Sequence, residues 1–277
     1  MRLPIIQHPS VTVLVDDSEA FLARLRHELG EAIATETFSE PRVALEWLRQ
    51  QVCVGRHMAP AVVVVDQRMA VMTGVEFCTA LAGQPCKKIL LTGPGDERAT
   101  IDAFNRKLID HAICKSDGDA LDQLARAIAA LRHEFFLELS DAVVSPAALD
   151  EYSFLGDDAV ARLVRELSAR HGVVEHYLHA APSGLMLIDA AGAARLMVIE
   201  TAGGMRAHHE VARDSGAPPS LLDAIDARCI VPWFRNGDGM YDASVGERWY
   251  RYCEPASVCE GAQSYYWALF DTSTTWV

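Results

Sequence analysis

The sequence predicts a doubly wound α/β domain with a five-stranded parallel sheet, followed by a smaller α+β domain with an antiparallel sheet. The first half of the 277-residue chain alternates short apolar runs with amphipathic segments, a pattern typical of parallel α/β domains. One of these runs, residues 60–66, contains four consecutive valines and is expected to be a central strand buried on both faces. The second half has another order: a helix, a strand, a hairpin, two helices and two last strands.

Five strands and five helices alternate in the first half. Residues 18–29 have the apolar spacing of one helical face, Gly30 ends this helix, and Pro41 lies in the first turn of the next one. The predicted strands are residues 11–15, 32–39, 60–66, 87–93 and 108–115. The predicted helices are residues 18–29, 40–51, 74–83, 96–107 and 119–139.

The second half is expected to form a small sheet with helices. Asp157 or a neighbouring residue is expected to cap a helix that Gly172 ends, and Gly192 suits the tight turn of a hairpin. The predicted elements are a helix at 157–172, a strand at 173–180, a hairpin at 183–200, helices at 205–216 and 218–229, an aromatic loop at 231–242, and strands within 246–257 and 262–272. This order suggests a PAS- or GAF-like domain by analogy of fold alone.

Length and composition predict two globular domains, since half of the residues are hydrophobic and 23% are charged. We expect a domain at residues 1–139, a linker at 140–152 and a C-terminal domain at 153–277. The apolar end of the helix at 119–139 is expected to pack on the second domain or to form a seam between two copies of the chain.

Charge and hydropathy exclude several classes of protein. The part after residue 140 has ten basic and 19 acidic residues and no lysine, so nucleic-acid binding is not expected. The longest apolar runs are less than half of the ~20 residues that a membrane helix needs. Residues 1–10 have too short an apolar stretch for a signal peptide. We therefore expect a soluble cytoplasmic protein whose seven cysteines are mostly buried thiols.

Polar residues stand at the ends of four predicted strands, at the edge where parallel α/β sheets place their sites. They are Asp16 and Asp17, Asp66, Thr92, and Lys115. Three converging carboxylates would repel one another without a cation, and hard oxygen ligands suit Mg²⁺. A third carboxylate beside a bound metal can act as a nucleophile toward a phosphoryl group, with lysine and threonine as donors to its oxygens.

Residues 11–138 resemble the receiver domain of two-component response regulators. The matching motifs are "VLVDDSEAFL", "VVVVDQRMAVMTGVEF", "ILLTG" and "AICK", in the family's order. The resemblance implies a flavodoxin-like sheet, Mg²⁺ as cofactor, and a receiver that catalyses only its own phosphorylation and dephosphorylation. The implied roles are phosphoacceptor for Asp66, metal ligands for Asp16, Asp17, Asp66 and the backbone carbonyl of Arg68, and phosphoryl contacts for Thr92 and Lys115.

The resemblance also implies partners. A sensor histidine kinase or a phosphotransfer protein is expected to supply the phosphoryl group, and the C-terminal domain is expected to act on a downstream protein or to bind a ligand. Pairing of two receivers into a homodimer is a further possibility. Two alternatives stay open: an enzyme of unrecognised class in the C-terminal domain, and a pseudo-receiver scaffold that is never phosphorylated.

Three positions depart from the family pattern. Ala70 and Ser116 stand where the family usually has prolines, and we expect a trans peptide bond before Ser116. Ala112 stands where the family has its switch aromatic, so that coupling route is missing or rerouted. His111 beside it is expected to be an exposed strand residue.

Several residues have simpler interpretations. Asp16 and Asp17 would serve equally as caps of the helix at 18–29. Cys253 and Cys259 are the closest cysteine pair of the second half, but their spacing does not favour zinc. The adjacent histidines His208 and His209 point about 100° apart on a helix and are expected at the surface.

The dense aromatic residues after residue 230 are expected to form the core of the small domain or to line a pocket or partner surface. No catalytic motif is recognised in this half.

Overall fold

The computed structural model describes residues 2–30, 33–51, 59–143, 150–235 and 239–272. The chain divides into two compact units. One spans His8–Glu138, and the other combines the residues before His8 with those from Leu139 onward. This division differs from the predicted domains at the N-terminus, because the first seven residues belong to the second unit.

The first unit contains a five-stranded parallel sheet, as predicted. Its strands are β2 (Ser10–Val15), β3 (Thr35–Phe38), β4 (Ala59–Asp66), β5 (Lys87–Thr92) and β6 (His111–Cys114). Their spatial order is β3-β2-β4-β5-β6, the flavodoxin-like arrangement. The chain crosses from one side of the sheet to the other after β3, so a crevice opens between the carboxyl ends of β2 and β4.

Five helices alternate with these strands. They are α1 (Glu19–Leu29), α2 (Pro41–Gln50), α3 (Gly74–Ala80), α4 (Glu97–Asn105) and α5 (Ala120–Val143). Thr73 and Glu76 form a capping box at the start of α3. The valines of β4 are buried between the helix layers, as their run of four predicted.

The last strand of this sheet is shorter than the predicted 108–115. Lys107 has a positive φ of 55°, and the N–H of Leu108 donates to the carbonyl of Ala103. These residues therefore finish α4 rather than begin a strand. His111 is exposed in β6, as predicted.

The second unit is built on a six-stranded antiparallel sheet. Its strands are β1 (Ile6–Gln7), β7 (Val173–His179), β8 (Gly184–Asp189), β9 (Ala194–Thr201), β12 (Ser257–Glu260) and β13 (Ser264–Asp271). Their spatial order is β1-β7-β8-β9-β13-β12. A separate ribbon pairs β10 (Ile230–Pro232) with β11 (Cys253–Pro255).

Helices cover both faces of this sheet. Alternate residues of β9 point to opposite faces, with Met197 in one apolar cluster and Val198 in the other. Helix α6 (Asp158–His171) packs in the cluster of Met197, whereas α7 (Ala202–Asp214) and α8 (Pro219–Asp226) pack in that of Val198. Most of the aromatic residues after residue 230 join these clusters, in accord with the core interpretation.

The N-terminal residues complete this second core. Leu3 and Ile5 are buried among residues of α6 and the sheet. The N–H of Leu178 donates to the carbonyl of Ile5, and the N–H of Leu3 donates to that of Leu155. Only two residues separate β1 of this unit from β2 of the other.

Three predictions for the second half were wrong or incomplete. Residues 246–252 form a 3₁₀ helix and only Cys253–Pro255 continues as a strand. Of the predicted linker, residues 140–143 extend α5, residues 144–149 lie outside the described residues, and Asp150–Gly156 forms a 3₁₀ segment. His208 is only 3% exposed rather than at the surface, with Nε2 3.4 Å from Glu200.

Within the described ranges, Asp16, Asp17 and Asp66 are the only group of three or more His, Cys, Asp or Glu side chains whose ligand atoms lie close enough together to hold a metal ion. None of the helices in those ranges has the length and apolar character needed to cross a lipid bilayer.

Asp157 caps α6 as predicted and also holds the β12–β13 turn. Its carboxylate accepts the N–H groups of Ala159 at 2.8 Å and Ala262 at 2.7 Å. A Cβ atom at Gly261 would overlap this carboxylate, so the turn needs glycine there. Burial raises the pKa of Asp157, but the N–H donors outweigh it and hold the pKa below its ordinary value.

We therefore expect the second unit to lose stability as the pH falls below about 4. A carboxyl group whose folded pKa is lowered stabilises the fold above its unfolded pKa, and this contribution disappears on protonation. Asp157→Asn keeps one oxygen that can cap α6 but loses the charge and the second acceptor, so it should destabilise the unit by about 1 kcal/mol at pH 7 and by less at pH 3. Urea unfolding followed by tryptophan fluorescence measures both values, and an equal effect at both pH values would contradict the assignment.

Candidate functional site

Three carboxylates meet in the crevice between β2 and β4. Asp16 and Asp17 follow β2, and Asp66 is the last residue of β4. One carboxylate oxygen from each lies within 4.8 Å of the others. Asp16 and Asp66 are buried and Asp17 is exposed, so the cluster opens to solvent on the side of Asp17.

Neither Asp16 nor Asp17 caps α1, so that alternative is wrong. The N-cap is Ser18, whose hydroxyl accepts the N–H of Phe21 at 3.3 Å. Asp16 instead accepts the N–H of Ser18 at 2.9 Å, and Asp17 accepts that of Ala70 at 2.8 Å. These bonds aim both carboxylates toward the crevice.

Lys115 supplies the positive charge of the cluster. Its Nζ lies 2.7 Å from Asp16 Oδ2 and 2.7 Å from Asp66 Oδ1. The ammonium also lies 4.1 Å from the centre of the Phe21 ring, within cation–π distance. A single lysine thus bridges two buried acids that would otherwise repel each other.

Asp66 has an altered proton affinity. Burial raises the pKa of its carboxyl, and the bond and charge of Lys115 lower it. Repulsion from Asp16 raises it further, and the N–H of Arg68, 3.1 Å from Oδ2, lowers it. The net direction is upward, because burial is the largest of these effects.

Thr92 lies at the end of β5 and is buried. Its hydroxyl is 3.3 Å from the carbonyl oxygen of Ile113, to which it donates, and its own carbonyl accepts the N–H of Lys115 at 2.8 Å. The structure thus joins Asp16 and Asp66 through Lys115 and places Asp17 beside them, whereas the Thr92 hydroxyl bonds to the neighbouring strand.

The departures from the family pattern have local consequences. Among the described residues only Ala181–Pro182 is a cis peptide, so the bond before Ser116 is trans, as predicted. Ala112 in β6 pairs with Leu90 and packs against the core of this unit, so its position has no aromatic ring. A separate cleft of about 440 Å³ lies beside Thr92, and its lining includes Ile101 and Ser116.

The cluster fits a divalent cation. Its three carboxylates are the hard oxygen ligands that Mg²⁺ prefers, and the exposure of Asp17 leaves room for water as a further ligand. Sequence reasoning missed the side chains of Phe21, Arg68 and Asp96 beside this site. Asp96 carries the signal of a helix N-cap, but nothing in the sequence shows that its carboxylate turns away from the helix.

Comparisons with known proteins agree with this geometry. The model of the response regulator receiver domain matches residues 12–126. The Legionella pneumophila response regulator LqsR is 28% identical, with a TM-score of 0.84 over 100% of this chain and 92% of that one. No curated protein matches the sequence.

Other solved structures match only part of the chain. An uncharacterized protein from Neptuniibacter caesariensis is 25% identical, covers 44% of this chain and 89% of that chain, and has a TM-score of 0.39. The signal receiver domain of an HD domain-containing protein from Pseudomonas fluorescens Pf-5 is 22% identical, covers 48% and 92%, and has a TM-score of 0.41.

The five-stranded parallel sheet and the family match point to the same segment. The match covers all five strands of that sheet except the first two residues of β2. Residues 12–126 therefore belong to the response regulator receiver family, and the chain is a receiver domain with a C-terminal extension.

Proposed function

We propose that the chain is a phosphorylated response regulator in which Asp66 accepts a phosphoryl group from a sensor histidine kinase or a phosphotransfer protein. The observation that carries this proposal is the cluster of three acids bridged by Lys115 at the carboxyl end of a receiver sheet. The C-terminal unit is the output, which contacts a downstream protein or a ligand.

The proposed chemistry needs few groups. A carboxylate oxygen of Asp66 attacks phosphorus, an O–P bond forms, and the bond from phosphorus to the donor's nitrogen or oxygen breaks with its electron pair. Lys115 donates a hydrogen bond to one phosphoryl oxygen and stabilises its charge. Thr92, at the end of β5, offers a hydroxyl to another once it leaves Ile113. Water later attacks phosphorus, the bond from phosphorus to the Asp66 oxygen breaks, and inorganic phosphate leaves as the carboxylate is regenerated.

The acids of the crevice would hold the metal. Asp16, Asp17 and Asp66, with the backbone carbonyl of Arg68, are the proposed ligands, and bound Mg²⁺ would neutralise charge that builds up on the transferred group. Asp16 and Asp17 are held in place by the N–H groups of Ser18 and Ala70.

The cysteines support a cytoplasmic location for this function. The six described cysteines are free thiols, and three of them, Cys78, Cys86 and Cys259, are buried. Burial raises the pKa of Cys78 to about 12, so its thiol is unreactive. Free thiols of this kind are typical of reducing compartments.

Intact-mass measurement with acetyl phosphate tests the proposal. With Mg²⁺ the protein should gain the mass of one phosphoryl group, and with EDTA it should gain none. Adding excess Mg²⁺ to the EDTA-treated sample should restore phosphoryl uptake. Equal uptake with and without the metal would contradict the proposed ligand set, and no uptake with Mg²⁺ would favour the pseudo-receiver alternative.

A further inference from the structure

The side chain of Arg68 connects the two loops that flank the acceptor. Arg68 follows β4, and its guanidinium reaches the loop after β5, where Nε lies 3.6 Å from Asp96 Oδ2. It lies against Gly93, where a Cβ atom would overlap Nη2. The absence of a side chain at Gly93 therefore makes room for the guanidinium beside the residue that follows Thr92.

Asp96 occupies the N-cap position of α4 without capping the helix. Its side chain makes no hydrogen bond to the first turn of α4. Oδ2 instead accepts the N–H of Gly93 at 2.7 Å and faces Arg68. An aspartate at an N-cap usually stabilises its helix by binding the N–H groups of the first turn. The Gly93 N–H and Arg68 together draw Oδ2 of Asp96 away from the first turn of α4, whose N–H groups receive no cap from this side chain.

Arg68 is also tied to the acceptor itself. Its N–H donates to Asp66 Oδ2 at 3.1 Å, so the residue is fixed next to the carboxylate that would carry the phosphoryl group. Its side chain is 61% exposed and free to turn, whereas that of Asp96 is 11% exposed. A phosphoryl group carries more negative charge than a carboxylate and offers two oxygens for a bidentate pair with the guanidinium. It therefore competes well with Asp96, whose Oδ2 lies 3.6 Å from Arg68 Nε.

We infer that Arg68 exchanges Asp96 for the phosphoryl group when Asp66 is phosphorylated, and that the released Asp96 then caps α4. The inference rests on the proposed function, because it needs a phosphoryl group on Asp66. In this exchange Arg68 binds the phosphoryl group, and the released carboxylate of Asp96 transmits the movement of Arg68 to α4 by capping it. This route requires no aromatic ring at Ala112.

The exchange is tested with trifluoroberyllate, a phosphoryl analogue that binds carboxylates, in the presence of Mg²⁺. Arg68→Gln should weaken its binding by about tenfold or more, the usual loss of a hydrogen bond to a charged group. Arg68→Lys should have an intermediate effect, since lysine offers a point charge without the bidentate fork. Arg98→Gln, which removes an exposed positive charge from α4, should change binding by less than about twofold and is the matched control.

A double-mutant cycle separates exchange from simple charge repulsion. Asp96→Asn should tighten trifluoroberyllate binding by about threefold or more, because Arg68 is no longer held by a carboxylate. The same substitution should have no effect in the Arg68→Gln background. An equal gain in both backgrounds would show that Asp96 acts by its charge alone and would overturn the inference.

Hydrogen exchange provides a second readout. Trifluoroberyllate should increase protection of the first-turn amides of α4 in the wild type and leave them unchanged in Arg68→Gln. If the wild type binds trifluoroberyllate and Arg68→Gln binds it with the same affinity, the exchange is refuted and the proposed function remains intact. Failure of the wild type to bind trifluoroberyllate would refute both.

Discussion

Lys115→Gln is expected to slow phosphoryl uptake from acetyl phosphate by roughly 10²–10³-fold, the effect of removing one donor to a developing negative charge. The same substitution should raise the affinity for Mg²⁺. The ammonium lies 2.7 Å from Asp16 Oδ2 and 2.7 Å from Asp66 Oδ1, so its charge would compete with a cation held by the same two carboxylates. A slower reaction with tighter metal binding is a combination that general unfolding does not produce.

Uptake rate by intact mass and Mg²⁺ affinity by titration calorimetry measure the two effects. Lys107→Gln removes the same charge from an exposed position at the end of α4 and should leave both values unchanged. Thermal unfolding checks the fold, and Mg²⁺ should restore stability to Lys115→Gln by binding the native state. Weaker Mg²⁺ binding in Lys115→Gln would contradict the competition that we describe.

Gly184→Ala is expected to have the largest effect on the second unit. Gly184 begins β8 and pairs with Val198 of β9, and these are the two central strands of the sheet. A Cβ atom there would overlap the carbonyl oxygen of Met197, and the next nearest atoms also belong to the backbone. Backbone cannot move aside as a flexible side chain can, so β8 and β9 must separate. We expect a loss of about 3 kcal/mol or more.

Urea unfolding followed by tryptophan fluorescence measures this loss, because four of the five tryptophans lie after residue 139. The midpoint should fall by about 1–2 M. Gly156→Ala is the matched control, since a Cβ atom at Gly156 meets nothing within 4 Å. Its effect should stay within about 0.5 kcal/mol. A midpoint for Gly184→Ala equal to that of the control would refute the close approach of the two strands.

The acidic cluster was predictable because of a simple geometric rule. Parallel strands bring their carboxyl ends to one edge, so the positions of Asp16, Asp66 and Lys115 at strand ends predict that they meet. The bonds that aim them are not predictable in the same way. Asp17 is oriented by the N–H of Ala70, a residue 53 positions away, and no local pattern marks this pairing.

The second unit was less predictable because its sheet depends on long-range pairing. A two-residue strand such as β1 has no periodicity, so nothing in residues 1–10 indicates that they pair with β7. The burial of His208 did leave a signal. It lies three residues after Met205 and four before Ala212, the spacing of one helical face, and all three are buried. The apolar pattern of α7 outweighed the polarity of the imidazole.

The central claim is that Asp66 carries the phosphoryl group, and peptide mapping of the phosphorylated protein tests it most directly. Reduction of the acyl phosphate with borohydride converts the modified aspartate to homoserine, which tandem mass spectrometry can place in the sequence. We expect homoserine at position 66 alone and no phosphoryl uptake by Asp66→Asn. Modification at Asp16 or Asp17, or undiminished uptake by Asp66→Asn, would contradict the assignment of the acceptor.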